Sequence, residues 1–261
     1  MKKAFIYLTL IVGIISIFGA CSSDDDSSST STSGCAGSSA LTEVTSCSST
    51  ASGTITGIDN MSISGTMSTF HLFGIQGGYG VDNSTDCIDN STLISTFAAS
   101  IGQPTDASGL IINYPITSSS SYAQIVKFYS DSSCSTEVAS FTAGFTGLTV
   151  GDNVSGLSTS VSGSSSTFSS TATKVSYEYS CIAVKASTDA GATWLKEFLS
   201  GIDPVVGTSY SCAVSSPVTY YGLVHTDNTS SYGQTVIWEE STSGYPSDWS
   251  STNTNSMTFL E

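Results

Sequence analysis

Short stretches of alternating apolar and polar residues recur along most of the chain. Residues 54–58 and 61–65 alternate in this way on either side of Asp59 and Asn60. An alternation with period two is typical of half-buried β-strands, and an Asp-Asn pair between two such strands favours a tight hairpin turn. The same periodicity, carried by Val175, Tyr177, Tyr179, Cys181 and Ala183, predicts a strand in the second half of the chain. Weaker patterns predict strands near residues 69–75, 110–113, 122–129, 138–145, 193–199, 207–214, 217–225, 234–240 and 256–260.

One segment has helical spacing instead. Leu93, Ile94, Phe97 and Ile101 follow a polar Asn-Ser-Thr start, and Gly102 ends the segment. Apolar residues three to four apart behind a capping residue indicate a short amphipathic helix.

These elements predict a mostly β fold. We expect two small antiparallel β-sandwich or barrel-like domains, over residues 51–154 and 173–261, with one short helix in the first. The serine-dense residues 155–172 between them are interpreted as a linker or an edge strand. Residues 21–50 carry Ser, Thr and Asp without hydrophobic periodicity, which indicates a tether.

The N-terminus has the layout of an export signal. Lys2 and Lys3 precede an uncharged apolar run over residues 4–18, and small residues lead to Cys21. The segment Phe18-Gly19-Ala20-Cys21 resembles the lipobox of a bacterial lipoprotein. Its first position departs from the usual Leu, as in the relaxed boxes of spirochaetal lipoproteins.

The lipoprotein resemblance has several implications. Residues 1–20 would be removed, Cys21 would carry lipid such as palmitate, and the membrane would be a partner through this anchor. Ser22 after the cysteine resembles the sorting signal for the outer membrane, on its periplasmic or surface face. Two alternatives are an ordinary signal peptide and a transmembrane helix, although the apolar run is shorter than the about 20 residues that span a bilayer.

The charge balance excludes one class of partner. The chain has a formal net charge of −15 and contains no arginine. Nucleic-acid binding needs a cationic surface that displaces phosphate counterions, so no nucleic-acid partner is expected.

Seven cysteines fit an exported protein. If Cys21 carries lipid, an even number remains for disulfides. We predict pairing between neighbours in sequence, with wide spacings and only two histidines arguing against a metal site. The candidates are Cys35 with Cys47, Cys87 with Cys134, and Cys181 with Cys212.

The segment 187–194 carries the most specific motif. Ser187, Asp189, Gly191, Thr193 and Trp194 resemble the Asp-box of sialidases and related β-propellers, which is a stabilised β-hairpin turn. In those families the box recurs from blade to blade and activity uses an arginine cluster, whereas this chain has one box and no arginine. We interpret it as a structural turn, with a glycan-related role as the alternative.

Aromatic residues are enriched in the C-terminal half. Trp238, Tyr245 and Trp249 are candidates for contact with a ligand, since exposed aromatic rings stack on sugars or anchor protein partners. The alternative is that they form part of a core.

Catalytic and metal-binding patterns are poor. The Asp- and Asn-rich residues 82–90 lack the spacing of a calcium loop. His71 and His225 have no recognisable nucleophile motif beside them, and Glu239 and Glu240 are expected on opposite strand faces.

The sequence therefore predicts a lipid-anchored, non-enzymatic envelope or surface protein without a cofactor, which binds an extracellular protein or glycan or serves structurally. The alternative is a glycan-binding or glycan-active protein that uses the Asp-box region and exposed aromatics.

Overall fold

The computed structural model describes residues 41–43, 47–71, 87–89, 91–98, 101–160, 168–199, 202–214, 216–228, 234–250 and 254–259. The strands in this part are β1 (Leu41–Glu43), β2 (Thr54–Ile58), β3 (Met61–Ser64), β4 (Thr66–His71), β5 (Gly109–Ser118), β6 (Ser121–Tyr129), β7 (Glu137–Ser155), β8 (Thr171–Ala186), β9 (Ser209–Val214), β10 (Thr219–Asp227), β11 (Thr235–Ser241) and β12 (Thr254–Phe259). The helices in it are α1 (Ser91–Phe97) and α2 (Asp189–Phe198).

Eight antiparallel strands form a sheet that closes on itself. Around the ring the order is β4, β5, β6, β7, β8, β10, β11 and β12, and β12 pairs with β4 to complete it. Strand β8 is long enough to pair with β10 through its first half and with β9 through its second half, and β1 extends β9. Closure satisfies the backbone groups that an open sheet would leave unpaired at its edges.

The alternating pattern of each strand puts one face inside the ring. Tyr122 and Val126 of β6, Tyr177 and Tyr179 of β8 and Trp238 of β11 are all at most 4% exposed and belong to one hydrophobic cluster. Burial of these faces is the main stabilising term of the fold.

Both rims of the ring are covered. The hairpin of β2 and β3 contacts β5, β7 and β10 at one rim, and its residues Ile55, Ile58 and Ile63 are fully buried. Helix α2 covers the opposite rim, where Trp194 packs edge-on to Phe128. The interior is therefore filled by side chains from the strands, the hairpin and the helix.

Two disulfides brace the described strands, and each lies against a glycine. Cys47 bonds to Cys181, and Cys87 bonds to Cys134. A Cβ at Gly144 would lie 2.4 Å from the Cys181 sulfur, so only glycine leaves room for that bridge. In the chain-entropy treatment, closing the loop of Cys47–Cys181 stabilises the fold by about 5 kcal/mol, and closing the loop of Cys87–Cys134 by about 4 kcal/mol.

The expected mostly β fold is confirmed, and the short predicted helix is present as α1. The pairing Cys87–Cys134 is confirmed, but the pairings Cys35–Cys47 and Cys181–Cys212 are wrong because Cys47 bonds to Cys181. Cys47 does not pair with a neighbouring cysteine in sequence, because the fold brings the segment before β2 onto β7 and β8.

Strands of the two predicted domains pair directly with one another, β7 with β8 and β12 with β4. The described part of residues 155–172 continues the β7–β8 hairpin, with a backbone hydrogen bond of 3.1 Å from the Leu157 N–H to the Ser170 carbonyl. The division into two domains stays a prediction.

Within the described residues, no helix has the length and apolar character needed to cross a membrane. Residues 1–40, with the predicted signal, Cys21 and Cys35, lie outside the described residues.

The contact between Gly144 and the Cys47–Cys181 bridge is testable with one methyl group. We expect Gly144→Ala to lower the free energy of unfolding by about 1–3 kcal/mol, because the new methyl overlaps both sulfurs. Gly151→Ala in the same strand is the matched control, since its Cβ would lie an ordinary 3.4 Å from the nearest atom. Urea unfolding with intact disulfides measures both, and equal effects would contradict the packing described.

Candidate functional site

The segment that resembles an Asp-box is a helix, not a hairpin turn. Thr188 is the N-cap of α2, and its hydroxyl accepts the Gly191 N–H at 3.0 Å. Asp189 in the first turn and Lys196 in the last turn suit the helix dipole. The predicted turn at Ser187, Asp189, Gly191, Thr193 and Trp194 and the predicted strand at 193–199 are therefore wrong.

Helix packing explains two of the motif's residues. The Trp194 indole N–H donates to the Ile101 carbonyl at 2.8 Å, and the buried ring stacks on Phe198. Gly191 permits a close approach to β7, since a Cβ there would lie 2.3 Å from the Val138 carbonyl oxygen. The motif thus seals one rim of the ring.

Two of the three aromatics predicted to contact a ligand are buried. Trp238 lies inside the ring and is 1% exposed. Trp249 is 5% exposed in a small cluster on the outer face of the sheet, where it stacks on Phe168 and donates to the Ser169 carbonyl. The prediction is wrong for both, because the residues around them supply enough apolar surface to cover the rings. Tyr245 is 42% exposed, and a ligand role for it stays a prediction.

A buried carboxyl lies inside the ring. Glu240 follows Val236 and Trp238 on the inward face of β11, and the Tyr177 hydroxyl donates to its Oε2. Glu239, on the other face, is held by the Ser250 hydroxyl and N–H. The expectation that the two carboxyls face opposite ways agrees with these partners.

The surroundings change the acidity of this carboxyl. Burial, which disfavours the charged form, raises the pKa of Glu240 to about 7, although the Tyr177 hydrogen bond acts in the opposite direction. Burial likewise raises the pKa of Tyr177 and Tyr122 well above the usual value of 10.0. Glu240 can therefore exchange a proton near neutral pH while its tyrosine neighbours stay neutral.

Three further polar atoms inside the ring lack a partner among the described residues. They are the Trp238 Nε1, the Tyr179 hydroxyl and the Gln124 Oε1, although the Gln124 amide donates to the Tyr114 hydroxyl at 3.0 Å. These groups and Glu240 belong to buried residues, so in this conformation they do not meet a ligand from solvent.

Among the described residues, an accessible cleft of about 340 Å³ lies at the rim covered by the β2–β3 hairpin. One wall is the hairpin turn, where Asp59 and Asn60 both have positive φ, as a type I′ turn requires. The other wall is the end of the β7–β8 ladder, where Asn153 lies opposite Thr173 and Ser155 lies opposite Thr171.

Strand periodicity gives this ladder end two different faces. Asn153 and Ser155 are two residues apart, so their side chains share a face and line the cleft. Ala172 points the other way, into the outer cluster that contains Trp249. Val154 packs against that cluster and also contributes to the lining of the cleft. The ladder end is thus anchored by its apolar face and presents a polar face to the hairpin turn.

The hydroxyl of Thr173 links the two walls at the floor of the cleft. Thr173 is fully buried, and its Oγ1 accepts the Asp59 N–H at 2.8 Å while it donates to the Asn153 Oδ1 at 2.8 Å. The Asp59 Oδ2 accepts the Thr226 N–H at 3.0 Å. These hydrogen bonds hold the Asp59 carboxylate and the Asn153 amide at defined positions in the wall.

His225 stands beside the Asp59 carboxylate. Its Nδ1 lies 2.8 Å from the Asp59 Oδ2, and both side chains are less than one-fifth exposed. The pair does not have the geometry of a hydrogen bond, and it is an ion pair only when the imidazole is protonated.

The predicted calcium-loop residues and His71 fall mostly outside the described residues. Most of residues 82–90, with the candidate calcium ligands, lies outside the described residues, as does the His71 side chain. In the described part of the chain no group of three or more His, Cys, Asp or Glu side chains could hold a metal ion.

No protein-family model and no curated protein sequence matches the chain.

Alternations in the sequence correspond to the buried Glu240 and to the cleft, and neither was predicted as a site. Val236, Trp238 and Glu240 alternate, which places Glu240 on an inward face. Asn153 with Ser155 and Thr171 with Thr173 form two polar alternations that meet across a hairpin, but the serine-rich residues between them resembled a linker.

The buried Glu240 makes stability depend on pH. Its folded pKa of about 7 exceeds the ordinary value of 4.5, so its contribution to stability is full below pH 4.5 and is lost as the pH rises through 7. We expect Glu240→Gln to reduce the loss of unfolding free energy between pH 5 and pH 8 by about 2–3 kcal/mol.

The exposed Glu178→Gln serves as the control, because it removes the same charge from the outer face of β8. Chemical denaturation at both pH values measures the difference. If the two variants had the same pH dependence as the unchanged protein, Glu240 would not titrate as described.

Proposed function

We propose that this chain is an exported, lipid-anchored protein of the cell envelope that binds a ligand and has no enzymatic activity. The observation that carries the binding role is the cleft between the hairpin turn and the β7–β8 ladder end. Its floor is fixed by internal hydrogen bonds, and its walls are open to solvent.

Export and anchoring draw support from the cysteines. The five in the described part, Cys47, Cys87, Cys134, Cys181 and Cys212, are all disulfide-bonded, which is compatible with an exported protein. The other four described cysteines bond to one another, so the partner of Cys212 lies outside the described residues, and we propose that it is Cys35. That pairing leaves Cys21 for lipid. We propose that the anchor lies at the outer membrane, on its periplasmic or surface face, because Ser22 follows the cysteine.

The absence of catalysis is also part of the proposal. Glu240 has a pKa suited to acid–base chemistry at neutral pH, but it is enclosed by the ring. In the described part of the chain the cleft offers one carboxylate beside amides and hydroxyls. A fixed set of hydrogen-bonding groups without a reactive nucleophile suits binding.

A second candidate is glycan recognition on the outer face of the sheet. The exposed Tyr245 ring contacts Tyr221 edge-on at 5.1 Å, and the Lys174 ammonium lies 5.2 Å from its centre. Such a fixed aromatic ring can stack on a sugar. This surface replaces the Asp-box region and the buried tryptophans as the support for the glycan alternative.

The anchor is tested by one substitution. We expect Cys21→Ser to abolish metabolic labelling with palmitate and to release the protein from the membrane fraction, because only the thiol accepts the lipid. Cys35→Ser is the comparison variant, and it should still be labelled. Continued labelling of Cys21→Ser would refute the anchor.

The outer surface is tested separately on a glycan array. If Tyr245 stacks on sugars, Tyr245→Ala should lose binding about tenfold or more, whereas Tyr245→Phe should retain it because the ring remains. Binding that survives in Tyr245→Ala would remove this second candidate.

A further inference from the structure

We infer that the cleft between the Asp59–Asn60 turn and the β7–β8 ladder end binds a small neutral polyhydroxylated compound, either a free sugar or the terminal sugar of a glycan. The inference rests on the proposed binding function and assigns it a ligand class.

The cleft offers both hydrogen-bond donors and a hydrogen-bond acceptor to a ligand. Asn153 uses its oxygen to accept from Thr173, so both N–H donors of its amide are left for a ligand. The Asp59 Oδ1 lies 3.4 Å from the Thr173 hydroxyl, whose single proton is directed to Asn153 at 2.8 Å. This carboxylate oxygen is therefore left mainly to accept from a ligand.

A sugar hydroxyl both donates and accepts, and neighbouring hydroxyls offer these functions side by side. The fixed Asn153 donors and the fixed Asp59 acceptor present the complementary pair. Asn60, Ser155 and Thr171 add amide and hydroxyl groups around the opening. Because the floor is already ordered, a ligand need not organise these groups on binding.

Size and charge argue against other small ligands. The volume of about 340 Å³ lies at the lower end of ligand pockets, which suits one or two sugar rings. Calcium takes six to eight oxygens with several carboxylates, and among the described residues Asp59 is the only carboxylate that lines this cleft. Phosphate would meet the Asp59 carboxylate without a lysine in the described lining, on a chain of net charge −15.

The test uses two substitutions that each change one atom in the wall. Asp59→Asn keeps an oxygen for the Thr226 N–H and tolerates the positive φ, but it removes half of the carboxylate. Asn153→Asp keeps the oxygen that accepts from Thr173 and removes both donors. Asp203→Asn, an exposed carboxylate paired with Lys196 near α2, is the matched control.

The detergent-solubilised full-length protein is titrated by NMR with N-acetylglucosamine, galactose and mannose, and by calorimetry with calcium chloride and inorganic phosphate. We expect at least one sugar to bind, with affinity at least tenfold weaker in Asp59→Asn and Asn153→Asp and unchanged in Asp203→Asn. Ser155→Ala changes an exposed residue at the rim, and we expect it to weaken sugar affinity severalfold. It replaces Asp59→Asn or Asn153→Asp in the test if either of these variants fails to fold.

Three outcomes would overturn the inference. Sugar binding that is equal in all variants would move the site elsewhere, such as Tyr245, and would leave the proposed binding function standing. Binding of calcium or phosphate without any sugar would reject the ligand class, and so would no binding of any probe. The anchor is tested by palmitate labelling and does not depend on these results. Tighter binding of an oligosaccharide that ends in the same sugar would identify a glycan as the source.

Discussion

The long antiparallel ladder between β7 and β8 is the interaction on which the rest of this structure depends. Its strands span Glu137–Ser155 and Thr171–Ala186, far longer than the five or six residues of an average strand. The ladder completes the closed ring, because β8 also pairs with β10. The second half of β8 pairs with β9 as well, and the Ser155–Thr171 end of the ladder forms one wall of the cleft. Closure, the packed interior and the candidate site therefore share one set of backbone hydrogen bonds.

The closed ring separates two kinds of polar chemistry. Inside it, Glu240 and its tyrosine neighbours are removed from water, which raises the pKa of the carboxyl and couples stability to pH. At the rim, Asp59 and Asn153 line the cleft, and Thr173 hydrogen-bonds to both from the inner side. Burial makes the first group a determinant of stability, whereas the second group lines a cleft and is available to a ligand.

Local patterns in the sequence were sufficient for most of the strands and for the β2–β3 turn, because alternation and turn chemistry act over a few residues. They failed at Ser180, where a bulge in β8 reverses the alternation. Tyr179 and Ile182 both face inward, so the predicted alternation of Cys181 and Ala183 with the inward residues is wrong. A single extra residue leaves no mark on composition.

Contacts between distant segments could not be predicted. Cys47 and Cys181 are separated by 134 residues, and their pairing follows from ring closure. The segment at 187–194 has the residues of a turn motif, yet Thr188 caps a helix and Trp194 fills the rim of the ring. The cleft joins Asp59 to Thr173 over 114 residues, so its parts were visible in the sequence but their meeting was not.

Amide hydrogen exchange on the full-length protein tests the β7–β8 ladder most directly. The structure predicts that the amides of β7 at 139–146 and 149–155 and of β8 at 171–186 that donate across the β7–β8 ladder exchange slowly, like the paired amides of β5 and β6. Rapid, loop-like exchange at 149–155 and 171–176, with protection elsewhere, would contradict the ladder and the cleft that it forms.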